Sequence, residues 1–208
     1  MDLEEIKEIE NLVDDSYTKI IYIKDKIFNS LTDTENSQGI IAYYNFIHKK
    51  DISNIKKGKF VLLDDLKDPG NLGGIIRSAE AFSIDGIILT KETVDLYNPK
   101  VIRSTMASIF RVNIYIIDKK DQLLDLKDDF KIVSTAFENS ISIYDFDFTD
   151  NIILTIGNEA HGVSTEIFNM SSEFIKIPMS DKINSLNANV AASICMYEMD
   201  KYGKNISK

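Results

Sequence analysis

The sequence predicts an α/β domain built on a parallel sheet with helices on both faces. Two observations carry this. Short apolar runs, several of them rich in isoleucine, recur at 60–63 (FVLL), 86–90 (GIILT), 131–135 (KIVST), 152–156 (IILTI) and 174–177 (FIKI), too short for helices and suited to buried parallel strands. Between and after them lie helical patterns, at 71–82 through Leu72, Ile75, Ile76, Ala79 and Phe82 and at 187–199, so strand and helix alternate as α/β layering requires. At 208 residues the chain accommodates one such domain with a small appendage.

In chain order, the first 50 residues differ from the rest. They read as a charged helix near 2–14, a strand IIYI at 20–23, a short helix near 25–31 and a strand GIIAYY at 39–44. We assign 1–52 to a small N-terminal domain, 53–59 to a linker and 60–208 to the main domain. The stretch HKKDISNIKKGK carries five lysines and no periodicity, so it reads as solvated, with a basic hinge touching RNA as the sharper alternative. No fixed-period repeat is present, which removes solenoids and propellers.

Composition narrows the function. The chain is 44% hydrophobic and 27% charged with three prolines, a globular composition rather than a disordered one. The acidic start and the lack of a long apolar run predict neither leader nor membrane span, hence a cytoplasmic protein. Cys195, the single cysteine, forms no internal disulfide and reads with the methionines as core packing. With 33 Asp and Glu against 24 Lys and Arg the net charge is -9, which repels nucleic acid at long range. The three arginines, Arg77, Arg103 and Arg111, nevertheless fall in one stretch, where a local basic face still binds phosphate.

Ligands of open parallel sheets bind beyond the carboxyl ends of strands, and three segments there stand out. LDDLKDPGNLGGIIRSAEAF (63–82) sets Pro69, Gly70, Gly73 and Gly74 between strand and helix, with Arg77 in the first turns. It matches neither G-x-G-x-x-G nor G-K-[ST], so those nucleotide-binding modes lose support. IILTIGNEAHGVS (152–164) sets Asn158 and Glu159 between Gly157 and Gly162; Glu159 orients an arginine, binds a hydroxyl or caps a helix. In IKIPMSDKINSLNANVAASICMYEM (175–199), Ser185 and Asn187 precede an apolar helix, and Ser185 fits an N-cap as well as a site residue. His161 reads as a loop residue. No catalytic triad, carboxylate dyad or metal-ligand cluster is present in these loops, and no metal is expected.

Together, N-L-G-G-I-I-R-S-A-E-A-F (71–82), I-G-N-E-A-H-G-V-S (156–164) and I-P-M followed by S-L-N (177–179 and 185–187), with N-P-K-V-I-R-S-T-M-A-S-I-F-R (98–111) between them, resemble the motifs of the SpoU (TrmH) family of RNA ribose 2′-O-methyltransferases, in the SPOUT class. The likeness covers about 60–200. LTDTENSQGIIAYY (31–44) is similar to the end of the ribosomal-protein-like substrate-binding domain of many members, here reduced. The resemblance implies a C-terminal trefoil knot, a homodimer, an RNA substrate, rRNA more than tRNA, and S-adenosylmethionine as methyl donor. It places the donor against Gly157, Ile177 and Leu186, and also Thr135 and Met179.

The same resemblance implies catalytic positions at Asn71, Arg77, Glu159, Ser185 and Asn187, with Arg103 on the RNA backbone. Family proposals make the arginine a base; a guanidinium with a pKa above about 12 better serves to pair with phosphate and stabilise the oxyanion. Asn71 then positions the loop or ribose, Glu159 orients Arg77 or the hydroxyl, and Ser185 with Asn187 completes the frame. Three departures stand out: Asp181 and Ala107 occupy positions often glycine, and the third motif reads S-L-N-A-N, with Ala188 and Asn189, where S-L-N-V-S is usual. Two rivals remain: a non-catalytic RNA- or S-adenosylmethionine-binding protein of the same fold, and a nucleotide-dependent oxidoreductase, which lacks its glycine fingerprint.

Overall fold

Seven strands form one wholly parallel sheet in the order β3-β2-β1-β6-β4-β7-β5. They are β1 (Lys59–Leu63), β2 (Gly86–Thr90), β3 (Ile114–Ile117), β4 (Lys131–Thr135), β5 (Ile141–Ser142), β6 (Ile152–Ile156) and β7 (Glu173–Lys176). The computed structural model describes residues 3–13, 17–32, 37–49, 51–149, 151–180 and 182–204. Central strands β1, β2 and β6 are buried nearly end to end, as expected of a sheet covered on both faces. Their side chains alternate between two cores. Val61, Leu63, Ile87, Leu89 and Leu154 face a cluster with α3 (Pro69–Ala81) and α6 (Ala188–Lys204). Leu62, Ile88, Ile132 and Ile153 face Leu123, Leu126 and Ile167 on the other side, the last from α5 (Thr165–Met170). Cys195 lies fully buried in the α6 core, where burial pushes its thiol up to about 12.

The chain divides into two units, 1–46 and 47–208. The first contains α1 (Leu3–Leu12) and α2 (Asp25–Leu31), matching both expected helices. The expected strands at 20–23 and 39–44 do not form. Ile21, Tyr22 and Tyr43 are exposed, and an extended segment becomes a strand only by pairing with another.

The expected linker is also corrected. Lys49 donates its N–H to the Ile114 carbonyl and accepts from Ile116 N–H, extending the open edge of β3, while Ile52 and Ile55 are buried in the second core. Two apolar side chains and an unsatisfied strand edge outweigh the five lysines. The sequence reading missed β3, α5 and α4 (Pro99–Ser104). Asn98, which caps α4 through Lys100 N–H, and Pro99 at its first position are a start signal written in the sequence.

The first helix of the main domain begins earlier than expected. Asp68 accepts from Asn71 N–H at 2.8 Å and Pro69 occupies the first turn, so Gly70, Gly73 and Gly74 lie inside α3 rather than in a loop before it. Two of them permit close helix packing. A Cβ on Gly73 would stand 2.4 Å from Ser104 Cβ and 2.8 Å from the Val101 carbonyl of α4, and one on Gly74 would stand 2.5 Å from Asn189 Nδ2 of α6. No helix among the described residues is long and apolar enough to cross a membrane.

Candidate active site

Parallel pairing of Leu63 with Ile156 delivers the segments after β1 and β6 side by side, on either side of the sheet's change in strand order. There they are fastened along their length. Asn158 Nδ2 donates to the Asp65 carbonyl at 2.8 Å, while its Oδ1 accepts from Ala160 and His161 N–H. Asn158 and Gly162 exchange backbone hydrogen bonds of 3.0 and 2.8 Å. The turn is so tight that a Cβ on Gly157 would lie 2.1 Å from the Gly162 carbonyl carbon. On the β1 side, Asp65 takes a left-handed φ of 61°, which Asp tolerates better than most side chains.

Glu159 sits at the centre. Its carboxylate accepts from Asn71 Nδ2 at 2.9 Å and from Lys67 and Asp68 N–H at 3.3 Å each. Partial burial pushes its carboxyl up, but the Asn71 amide and the backbone N–H groups outweigh this and hold it below its ordinary value. Glu159 is therefore an ionised acceptor at neutral pH. Asn71, 8% exposed, passes the order onward, its Oδ1 accepting from Asn187 Nδ2 at 2.9 Å. An open cleft of about 660 Å³ lies beside this chain, lined by Asp65, Lys67, Asp68, Pro69, Asn158 and Glu159, with Ala160 and His161.

Asn187 also caps α6, its Oδ1 accepting from Asn189 N–H at 3.0 Å. The cap expected of Ser185 thus belongs to Asn187, because Ser185 lies further before the helix, exposed and without a hydrogen bond among the described residues. The departures at 188 and 189 are absorbed by packing: Ala188 is buried and Asn189 covers Gly74. Asp181 lies outside the described residues. Ala107 adopts φ 67°, so its methyl occupies the left-handed region that glycine fills without strain.

The arginines stand apart from this network. Arg111 is taken by Glu80, whose carboxyl its guanidinium and the Ser108 hydroxyl hold at about 2. Arg77 and Arg103 are exposed, with no polar partner among the described residues. From Asn71, Arg77 is about 9 Å along the helix axis and roughly 120° around it, on the outward face between the sides that meet α4 and α6. Within one chain, the expected orientation of Arg77 by Glu159 is not formed.

The expected donor residues gather at neighbouring strand ends. Thr135 at the end of β4 pairs with Ile175 of β7, and β4 lies beside β6, which ends before Gly157. Thr135 Oγ1 donates to the Thr155 carbonyl at 3.1 Å. Ile177, Met179 and Leu186 are partly buried. Among the described residues the one backbone hydrogen bond within 177–186 is Ile183 N–H to the Ser180 carbonyl at 3.2 Å. Half-covered apolar side chains beside backbone groups with few internal partners suit a nucleoside amino acid, which is recognised through both.

Comparison with known proteins decides the lineage, since the model of the SpoU rRNA Methylase family matches residues 58–197. This chain belongs to that family. Among curated proteins, the SpoU-family chain is 29% identical over 178 residues to the 23S rRNA (guanosine(2553)-2′-O)-methyltransferase RlmP of Bacillus subtilis, covering 85% of this chain and 71% of the relative. It is 34% identical over 145 residues to a 23S rRNA (uridine(2479)-2′-O)-methyltransferase of Streptomyces viridochromogenes, covering 66% of this chain and half of the relative. Among solved structures, an AdoMet-bound rRNA methyltransferase from Sinorhizobium meliloti superimposes with a TM-score of 0.80 at 28% identity, over 86% of this chain and 70% of that one. The fold is that of these SPOUT methyltransferases. Sequence reading picked out Asn158 without giving it a role and missed the fastening residues Asp64, Lys67 and Asp68; of these, Asp68 was legible as the cap before a proline.

Proposed function

We propose that this chain methylates a ribose 2′-hydroxyl in RNA, rRNA of the 23S type rather than tRNA, with S-adenosylmethionine as donor. One observation carries the reading: Asn71 bonds both Glu159 and Asn187, joining the three family motifs in one hydrogen-bonded chain at the strand ends. The related proteins that act on 23S rRNA support the substrate class. S-adenosylmethionine supplies an electrophilic methyl on its sulfonium, held by Gly157, Ile177, Leu186, Thr135 and Met179. The ribose oxygen must then lie in line with the S–CH3 bond, and positioning carries much of the rate.

Ionised Glu159 fixes Asn71, Asn71 and Asn187 frame the ribose, and Ser185, exposed beside them, closes the frame. Arg77 pairs with the neighbouring phosphate and stabilises the developing oxyanion; Arg103 holds the RNA backbone. Arg77 and Arg103 make no hydrogen bond to the Glu159 network within one chain, which supports a homodimer in which a second copy completes the site. The C-terminal part of the main domain carries the trefoil knot, residues 1–52 serve as a substrate-binding domain, and the protein works in the cytoplasm.

The test is transfer of labelled methyl to separate unmodified rRNA and tRNA pools, followed by digestion to 2′-O-methylated nucleosides. Label is expected in rRNA and should fall roughly a hundredfold or more in Arg77→Ala, on the scale of a lost oxyanion donor. Equal labelling by Arg77→Ala would overturn the assigned role. Donor binding without transfer to either pool would favour the non-catalytic reading.

A further inference from the structure

At the foot of the Glu159 loop lies a buried ion pair that none of the three motifs accounts for. Asp64, the residue after β1, is 1% exposed. Its N–H donates to the Ile156 carbonyl at 2.9 Å, where the loop begins, and its carboxylate Oδ2 accepts from Ser164 N–H at 2.7 Å, where the loop ends. One residue thus grips both ends of 157–163. Its other oxygen, Oδ1, is 2.8 Å from Lys120 Nζ, on the 3-10 turn Lys120–Leu126 beyond β3.

Lys120 also donates to Ser164 Oγ at 2.8 Å and lies 3.9 Å from Glu166. Ser164 stands at the N-cap position of α5, yet its hydroxyl caps nothing there; the ammonium has taken it. A carboxylate so deeply buried costs free energy unless it is paired and hydrogen-bonded, and such pairs serve best to fix register.

We propose that Asp64 and Lys120 are positioning residues for methyl transfer, a clamp that sets the height and pitch of the loop presenting Glu159 to Asn71. The assignment rests on the methyltransferase reading above. The clamp acts on the Glu159 side of the site; of the residues assigned to the donor, only Gly157, at the start of the loop, lies within its span, and Ile177, Leu186, Thr135 and Met179 lie outside it. Its loss should therefore lower turnover far more than donor affinity. A charge that merely stabilised the fold would lower the melting temperature and leave the surviving folded enzyme at full speed.

Steady-state kinetics on the full chain separates these outcomes, with melting curves recorded in parallel. Lys120→Met and Asp64→Asn should each lose about tenfold or more in kcat, with KM for S-adenosylmethionine within about twofold of the unaltered protein, since misplacement of a positioned group by an ångström carries such losses. Lys120→Arg, which restores the cation, should recover most of the rate. If Lys120→Met alone does not fold, Asp64→Asn combined with Lys120→Met removes both charges and keeps the experiment open, because a buried pair lost together is tolerated better than one half of it.

Amide exchange gives a readout independent of catalysis: Ser164 and Gly162 should exchange about tenfold faster or more in Lys120→Met, once the clamp no longer restrains local opening. Full kcat in folded Lys120→Met and Asp64→Asn, or unchanged exchange at both amides, overturns the clamp. If the unaltered protein methylates no RNA, the functional reading fails, while the exchange result still decides whether the clamp exists.

Discussion

Between β1 and β6 the two loops are bonded at nearly every step, from Asp64 through Asp65 and Asn158 to Glu159 and Asn71. Between β7 and α6 the chain makes a single backbone hydrogen bond over 177–186 among the described residues, and Lys182, Ile183, Asn184 and Ser185 are exposed. One side of the site is assembled within the protein. The other leaves its backbone groups available to a ligand. A reaction limited by alignment gains most from rigid groups around the nucleophile, while a donor that enters and leaves each turnover needs a segment able to close over it. Substitutions should separate accordingly: changes on the bonded side act on kcat and stability, and changes on the sparse side act on donor KM.

The largest effect is expected at Gly157. A methyl there meets the backbone of Gly162 and Val163 at 2.1 and 2.2 Å, and no rotamer relieves a clash of Cβ with main chain. Gly157→Ala should cost about 2 to 3 kcal/mol of stability, as overpacked sites do, and remove more than about 99% of turnover by displacing Glu159. Thermal melting and single-turnover transfer measure both. Retention of normal kcat would mean that the bonded side need not be rigid.

Next comes Asn71→Ala, which removes the one side chain bonded to both Glu159 and Asn187. The remaining partners are left under-satisfied, at about 1 to 3 kcal/mol, and kcat should fall more steeply than donor affinity. An effect on donor KM alone would show that Asn71 serves the other side. Leu186→Ala, on the sparse side, should raise KM for S-adenosylmethionine several-fold, in line with about 1 kcal/mol of lost apolar contact, with melting temperature nearly unchanged because Leu186 is only partly buried. Isothermal titration with the donor checks it.

How much of this was legible depends on the range over which each feature is specified. The strands β1, β2, β4, β6 and β7 declared themselves through local apolar runs. The three motif segments stood out because each follows an apolar strand, and the resemblance to the family then pointed to Asn71, Glu159 and Asn187 within them. What stayed hidden depends on residues far apart in sequence. Gly73 and Gly74 read as loop punctuation because nothing nearby announces Ser104 and Asn189, the neighbours that need the space. Nothing near Asp64 in sequence announces its role; only the fold brings Lys120 and Ser164 to it. Lys49, Ile52 and Ile55 were hidden by the lysines around them, and the 20–23 and 39–44 segments have strand composition without a strand to pair with. Arg77 was found from its motif, but its distance from Glu159 along α3 follows only once the helix is known to begin at Pro69.

The smallest effect is the titration of Glu159, and it tests the bonded side directly. Burial raises its carboxyl, and the Asn71 amide with the N–H groups of Glu159, Lys67 and Asp68 brings it below the ordinary 4.5. A carboxyl depressed on folding contributes stability that is fully present above its unfolded value and is lost as pH falls through the folded one. The unaltered protein should therefore melt above Glu159→Gln at neutral pH, and that margin should narrow as pH falls below 4.5. Other acidic groups titrate in both proteins and cancel in the difference. A margin that stayed constant with acidification would mean that the hydrogen bonds to Glu159 do not favour its ionised form, and the bonded side would then owe its order to backbone packing rather than to this charge.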